Sequence, residues 1–223
     1  MLFTKQASKY AVAFLLVAFL ASCGGASKKE EEAVELTPEQ IRIMELVKFG
    51  PDPYEAKAPV VLPEAVTEFD LIMKQLAAGD EAGAEVQLKA IAEKYPELSG
   101  ALYNLGVMEK KRGNIESAKG YLNSAIDRNT NNLNARNLRA LIYRDEGNFS
   151  EAEKEYLEII KIWGGYLTAY KNLGILYDLY MGKFEEALPY YKKYNALVPE
   201  ADKQVSGWIV DIERRLATMP STN

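Results

Sequence analysis

Histidine is absent from the 223 residues, and cysteine occurs once. The first absence removes His-based triads, His general bases and most zinc and iron sites. The second rules out an intrachain disulfide and any CxxC redox or metal pair. Basic residues are no excess either: 27 Lys and Arg stand against 32 Asp and Glu, a net charge of −5, so the cationic footprint of a nucleic-acid binder is missing. Phosphate loops, EF-hand patterns and Gly-rich dinucleotide fingerprints do not occur. The many Glu and Lys fall at the spacing of solvated helix faces. No catalytic, cofactor or metal residue is therefore assigned, and no small-molecule substrate is expected. What remains is an ordinary globular mixture, 48% hydrophobic and 26% charged.

Residues 1–22 read as a secretory signal. Lys5 and Lys9 make a cationic start, and the apolar run from Tyr10 to Ala21 follows. A transmembrane helix needs about 20 residues, so this run is too short to span. It ends in Leu20-Ala21-Ser22-Cys23. That ending resembles the bacterial lipobox. The resemblance implies a diacylglycerol on Cys23, cleavage before it, and acylation of the new terminus with a palmitate-type chain. An ordinary signal peptide with a chance Cys is the other reading. In lipoproteins, Asp after the Cys tends to retain the protein in the inner membrane. Gly24 stands there instead, which implies a lipid-anchored, periplasm-facing protein of the outer membrane. Removing residues 1–22 takes two lysines and no acid, so the net charge moves from −5 to −7. An acidic body is repelled by anionic lipid, and several acyl chains at about 0.8 kcal/mol per buried CH₂ must hold it.

Residues 23–36 comprise the Cys and a small, charged tether, with Lys28-Lys29 and Glu30–Glu32 read as a solvated linker. Residues 37–64 hold one helix and a Pro-rich arm. Thr37-Pro38-Glu39-Gln40 is a helix start with a capping box. Ile41, Met44 and Val47 make an apolar stripe with Ile43 and Leu46 beside it. Pro51, Pro53, Pro59 and Pro63 mark the arm. Two placements are open: the helix caps the first repeat, or the arm stays mobile.

From residue 65 the chain repeats. Gly79, Gly113 and Gly147 are 34 apart, as are Ala84, Ala118 and Ala152, then Leu88, Leu122 and Tyr156, and Ile91, Ala125 and Ile159. A further copy follows after 35: Gly182, Ala187, Tyr191 and Tyr194. The Gly lies between two helical patterns, where a left-handed residue ends the first helix. The Ala opens the second helix's inner stripe, where a small side chain lets two backbones approach.

The pattern resembles the tetratricopeptide repeat (TPR). In the fourth copy Tyr170, Leu173, Gly174, Tyr177, Ala187, Tyr191 and Pro199 match. The second copy has Leu102, Leu105, Gly106, Ala118, Leu122 and Ala125, and the first has Leu71, Ala84, Leu88, Ile91 and Pro96. The third matches at Ala140, Tyr143, Ala152 and Tyr156, but Arg136 and Arg139 replace apolar residues. Thr130 and Gly164 replace the terminal Pro in the middle copies. The resemblance implies an all-α fold, a right-handed α-solenoid of antiparallel helix pairs, with units 65–98, 99–132, 133–166 and 167–201. The stripe Val205, Trp208, Ile209, Ile212 and Leu216 then makes 202–218 a capping helix, apolar inward and polar outward.

In the family, peptides bind the concave face. Carried over, that face includes Val66, Phe69, Met73, Tyr103, Asn104, Val107, Asn137, Leu141, Lys171, Asn172 and Ile175. Asn can bond an extended peptide's backbone through both donor and acceptor, and a solvated helix face fits the same residues. The family's carboxylate clamp is missing, since Tyr103, Val107, Leu138 and Thr168 stand in its places. The fourth repeat region holds seven of the 14 Tyr. Tyr170, Tyr177, Tyr191 and Tyr194 fall on core columns; Tyr166, Tyr180 and Tyr190 do not.

Anchor and repeats together point to an adaptor that binds a protein partner and supports assembly of an envelope complex. The chain resembles the small repeat lipoproteins of pilus, secretin and outer-membrane machines. An adaptor or regulator of peptidoglycan enzymes is the alternative, and a wall-acting enzyme a third. The repeats leave no room for a separate catalytic domain.

Overall fold

The computed structural model describes residues 36–56 and 61–218. The signal sequence, Cys23 and the tether through residue 35 lie outside them, as do residues 57–60 of the arm. From Thr37 onward the chain forms one compact unit. Eleven helices occur among the described residues, with no strand. A helix α1 (Pro38–Val47) and a single turn α2 (Pro53–Ala56) precede four antiparallel pairs. These are α3 (Pro63–Ala77) with α4 (Glu81–Lys94), α5 (Ser99–Lys111) with α6 (Ile115–Arg128), α7 (Leu133–Asp145) with α8 (Phe149–Ile162), and α9 (Leu167–Ile175) with α10 (Phe184–Leu197). Helix α11 (Lys203–Thr218) closes the stack against α10. No described helix is long and apolar enough to cross a membrane.

The repeated columns become the core. Ala84, Ala118, Ala152 and Ala187 are fully buried, and so are Leu88, Leu122, Tyr156 and Tyr191. The alanines let each second helix approach the first helix of its pair. The turn glycines adopt positive φ, 93° at Gly79, 83° at Gly113, 80° at Gly147 and 64° at Gly182, conformations that a side chain strains. One residue past three of them, the N–H of Asp80, Asn114 and Asn148 bonds back to the carbonyl of Gln75, Glu109 and Tyr143. That closure stops the first helix and starts the return.

The step from 34 to 35 also has a physical form. Between Tyr177 and Gly182 the first helix of the fourth pair widens into a π-helical turn, Leu176–Tyr180. The Met181 N–H bonds Leu176 O at 3.1 Å, five residues back. The wider turn absorbs one added residue while Leu173 and Tyr177 stay in register.

The first repeat departs from the sequence reading. Leu71, in the column of buried Leu105 and Leu173, is 58% exposed, and Ile72 is buried in its place. Helix α3 packs chiefly on α4, and the side where Leu71 lies is left bare, as are Val66 and Leu62. Helix α1 does not cover it. The capping box forms, with Gln40 N–H on Thr37 Oγ1 at 3.2 Å and Thr37 N–H on Gln40 Oε1 at 2.8 Å. Yet α1 packs on α10, at the opposite end of the stack. Its docked face is Arg42, Ile43, Leu46 and Phe49, while Ile41, Met44 and Val47 are exposed. Neither placement left open by the sequence is what segment 38–56 adopts.

Helix α11 caps the C-terminal end, on the same helix α10. Asp202 Oδ1 accepts the N–H of Gln204 at 3.0 Å and of Val205 at 3.2 Å, the geometry of an N-cap. Val205 and Ile212 are fully buried. Trp208 is half-buried, its ring 5.3 Å from that of Tyr191. It shares the anchoring of the cap with these two aliphatic residues.

Candidate peptide-binding face

The first helices α5, α7 and α9 carry the residues assigned to the concave face. Tyr103, Asn104, Asn137, Leu141, Lys171, Asn172 and Ile175 are half-buried, and Val107 is exposed. Four of the polar side chains are engaged within the chain. Asn104 Nδ2 donates to Gly100 O, one turn back, at 2.8 Å. Asn172 Nδ2 donates to Asn137 Oδ1 at 2.9 Å, so this pair bridges adjacent repeats. Lys171 turns to the cap: its Nζ lies 2.7 Å from Asp202 Oδ2 and 5.4 Å from the centre of the Tyr194 ring. Lys171 thus fastens α11. Of the remaining assigned residues, Phe69 and Met73 pack partly against the core and Val66 is exposed.

Beside this face runs a row of junctions where each second helix hands over to the next first helix. Segment 49–54 lies along that row, running from the fourth repeat towards the first. The Phe49 ring rests on Gly164, where a methyl would collide with Phe49 Cε1. Gly50 O accepts the Trp163 indole N–H at 3.2 Å. Pro53 is buried, and its carbonyl accepts from Asn131 Nδ2 at 3.5 Å. The Tyr54 hydroxyl accepts from Ser99 Oγ at 3.5 Å. Upstream, Glu45 pairs with Lys193 at 3.2 Å and Arg42 Nη1 donates to Leu197 O at 3.4 Å. Burial pushes the Tyr166 phenol well above its ordinary pKa, with the charges of Tyr103 and Asp52 adding to it. Its hydroxyl donates to Asn134 Oδ1 at 2.8 Å. Tyr166 thus ties this junction back to α7.

Sequence profiles of the tetratricopeptide repeat match residues 131–197 and 100–132. The fold is that of a tetratricopeptide-repeat solenoid. The solved structure of PilF from Pseudomonas aeruginosa is similar to it at 20% identity and a TM-score of 0.60, over 69% of each chain. A tetratricopeptide-repeat protein from Parabacteroides merdae is 20% identical with a TM-score of 0.57, over 69% of this chain and 61% of its own. MamA of strain AMB-1 is 18% identical with a TM-score of 0.53, over 69% of this chain and 83% of its own. No curated protein matches the chain in sequence. Identities this low carry the fold and not an activity.

The repeat frame explains which residues the sequence reading missed. Segment 49–54 meets Ser99, Asn131 and Trp163 across 45 to 113 positions of chain, and none of these three lies in a matched column. One signal was available. Gly164 stands where a repeat commonly ends in Pro, and a bare Cα there makes room for an aromatic ring. The off-column tyrosines are likewise absorbed. Tyr190 lies 5.7 Å from the Tyr177 ring, and Tyr180 lies 5.7 Å from Phe149.

Proposed function

We infer that this chain is a lipid-anchored adaptor of the bacterial envelope. Tetratricopeptide repeats are protein-binding scaffolds, and this solenoid is the working part. It holds a protein partner on the concave face of α5, α7 and α9 and supports assembly of an envelope complex. Cys23 carries the lipid that keeps it at the periplasmic side of the outer membrane. The carrying observation is the placement of Tyr103, Asn104, Val107, Asn137, Leu141, Asn172 and Ile175 on successive first helices without full burial. A core role would bury them fully. The chemistry is binding and not catalysis.

The test has two arms. Cys23→Ser should leave a protein of unmodified terminal mass that no longer fractionates with membranes; unchanged membrane association would remove the anchor from the reading. Crosslinked pull-down from native envelopes should recover a client that the Asn137→Ala/Asn172→Ala variant loses at unchanged stability. Equal recovery by that variant would move the binding site elsewhere. Recovery of peptidoglycan enzymes alone would select that client class over pilus or outer-membrane machinery.

A further inference from the structure

The segment along the junctions has a chemistry of its own. Its sequence is Phe49-Gly50-Pro51-Asp52-Pro53-Tyr54. Gly50 turns at a φ of 69° and Pro53 opens the helical turn α2, while the two prolines remove two backbone donors, so the segment offers carbonyls and rings. The junctions answer with donors in series: the Trp163 indole to Gly50 O, the Asn131 amide to Pro53 O, the Ser99 hydroxyl to Tyr54. Each end is seated on a glycine. A Cβ at 164 would meet the Phe49 ring, and a Cβ at 100 would lie 3.4 Å from the Tyr54 hydroxyl. Donors that reach backbone carbonyls, set beside glycines that make room for aromatic side chains, suit a proline-containing segment, which has few donors of its own.

We propose that this row of junctions is a binding surface for proline-containing turn segments of partner proteins, and that segment 49–54 is the resident ligand a partner displaces. The partner segment carries an aromatic residue at each end and an acid between two prolines. This rests on the adaptor reading above and adds to it a second surface and its control. While the resident segment is seated, the tethered copy competes at an effective concentration in the millimolar range. A free segment of equal intrinsic affinity therefore binds with an apparent affinity reduced by the fraction of open surface.

The experiment uses the detergent-solubilised full chain and a labelled peptide of residues 48–56, KFGPDPYEA. Phe49→Ala/Tyr54→Ala unseats the resident segment and should tighten peptide binding by about tenfold or more over the parent. In a Trp208→Phe background the unseated protein should show red-shifted Trp163 emission, which added peptide reverses. Adding Gly164→Ala should abolish the gain, because the new methyl takes the place of the ring. A peptide with both prolines replaced by alanine should bind about tenfold more weakly. Equal binding by parent and Phe49→Ala/Tyr54→Ala variant, or a gain that survives Gly164→Ala, would overturn the proposal. So would a concentration-dependent dimer of the parent that dissociates on Phe49→Ala/Tyr54→Ala, because the segment then serves a second copy. The two readings fail separately. A client still recovered by the Gly164→Ala protein, with no peptide exchange, leaves the adaptor and removes this surface. Peptide exchange with no recoverable client leaves the surface and removes the adaptor.

Discussion

In the first two repeats the column facing the first helix is filled by Leu88 and Leu122; in the last two it is filled by Tyr156 and Tyr191, all four fully buried. The same substitution runs through the surroundings. The core of the first two repeats is mainly Leu, Ile and Ala, with Tyr95 buried and Phe69, Tyr103 and Tyr121 at its margin, whereas the core of the last two buries Tyr156, Tyr177 and Tyr191 and has Tyr190, Phe184, Trp163 and Trp208 packed against it. Rings bury more area per residue, but each tyrosine brings a hydroxyl to be satisfied. Tyr177 donates to Glu153 at 2.7 Å and Tyr191 to Asp178 at 3.3 Å. The Tyr156 hydroxyl is buried without a partner, and burial drives its pKa far upward. The C-terminal half is packed with stiffer, more demanding pieces, and it is also the half that anchors α1 and the cap.

The two cores meet at α7, which lends Ala135 and Ile142 to one and Leu133 and Ala140 to the other. At this seam Arg136 and Arg139 both reach Glu155, which is 8% exposed. Arg139 also donates to Asn123 Oδ1 at 2.6 Å and Arg136 to Thr130 O at 3.1 Å, while Arg139 Nε is buried without a partner. Removing the shared acid strands two cations. Glu155→Ala should therefore cost about 3–5 kcal/mol in denaturant unfolding, the largest effect argued here. The second repeat shows the apolar alternative, with Leu102, Leu105 and Tyr121 at the equivalent positions. Arg136→Leu/Arg139→Leu/Glu155→Tyr should be neutral or stabilising by about 1–4 kcal/mol. A loss below about 1 kcal/mol for Glu155→Ala would mean that water, and not the acid, satisfies the arginines.

How much of this was legible in the sequence divides along the same line. The glycine turns, the alanine column and the cap follow from local rules repeated at a fixed period, and they could be read from residue spacing. Arg136 and Arg139 were visible as departures from that period, but their partner was not. Glu155 looks like any surface acid until the helices are stacked. The stripe Ile41, Met44 and Val47 is the apolar face that the sequence offers on α1, and it is exposed. Here the helix is held by Arg42, Glu45, Leu46 and Phe49, a mixed face that hydropathy does not reveal. The prolines mark an extended arm from residue 51, but Pro53–Ala56 forms the helical turn α2, and neither that turn nor the seat of segment 49–54 was legible. Its contacts are single long-range hydrogen bonds and one ring on a glycine.

A second comparison uses one position in both halves. Gly106 and Gly174 are equivalent, each under the bulky residue of its second helix. A Cβ at 174 would lie 2.6 Å from Tyr191 Cδ1 and Cε1, whereas at 106 it would lie 3.0 Å from Leu122 Cδ2 and Cγ. A leucine branch can turn aside, but a ring fixed by Trp208 and Asp178 cannot. Gly174→Ala should cost about 1–3 kcal/mol of overpacking, offset in part by the roughly 1 kcal/mol that alanine gains over glycine in a helix. Gly106→Ala should be close to neutral. Thermal unfolding of the two variants decides it; equal shifts would show that the aromatic half is no stiffer than the aliphatic one.

The smallest expected difference is in acid. In the first two repeats the shifted carboxylates move one way. Lys94 and then Tyr95 hold Glu68 below its ordinary value of 4.5, Lys111 does the same for Glu81, and Lys89 and Arg112 for Glu85. A depressed folded pKa gives stability that is present above the ordinary value and lost as pH falls through the folded one. The C-terminal half carries both signs. Lys171, then the Val205 N–H, holds Asp202 low, and its contribution to the cap fades in acid. Burial holds Asp178 high, with Tyr191 and Arg215 only partly opposing. A raised carboxyl pKa means the folded state binds the proton more tightly, so this contribution improves as pH falls. Between about pH 5 and pH 3, hydrogen exchange corrected for intrinsic rates should rise more in α3–α6 than in α9–α11. Asp178→Asn removes the opposing sign and should narrow that gap. A gap unchanged by Asp178→Asn would assign the acid resistance of the C-terminal half to its aromatic packing instead of to its carboxylates.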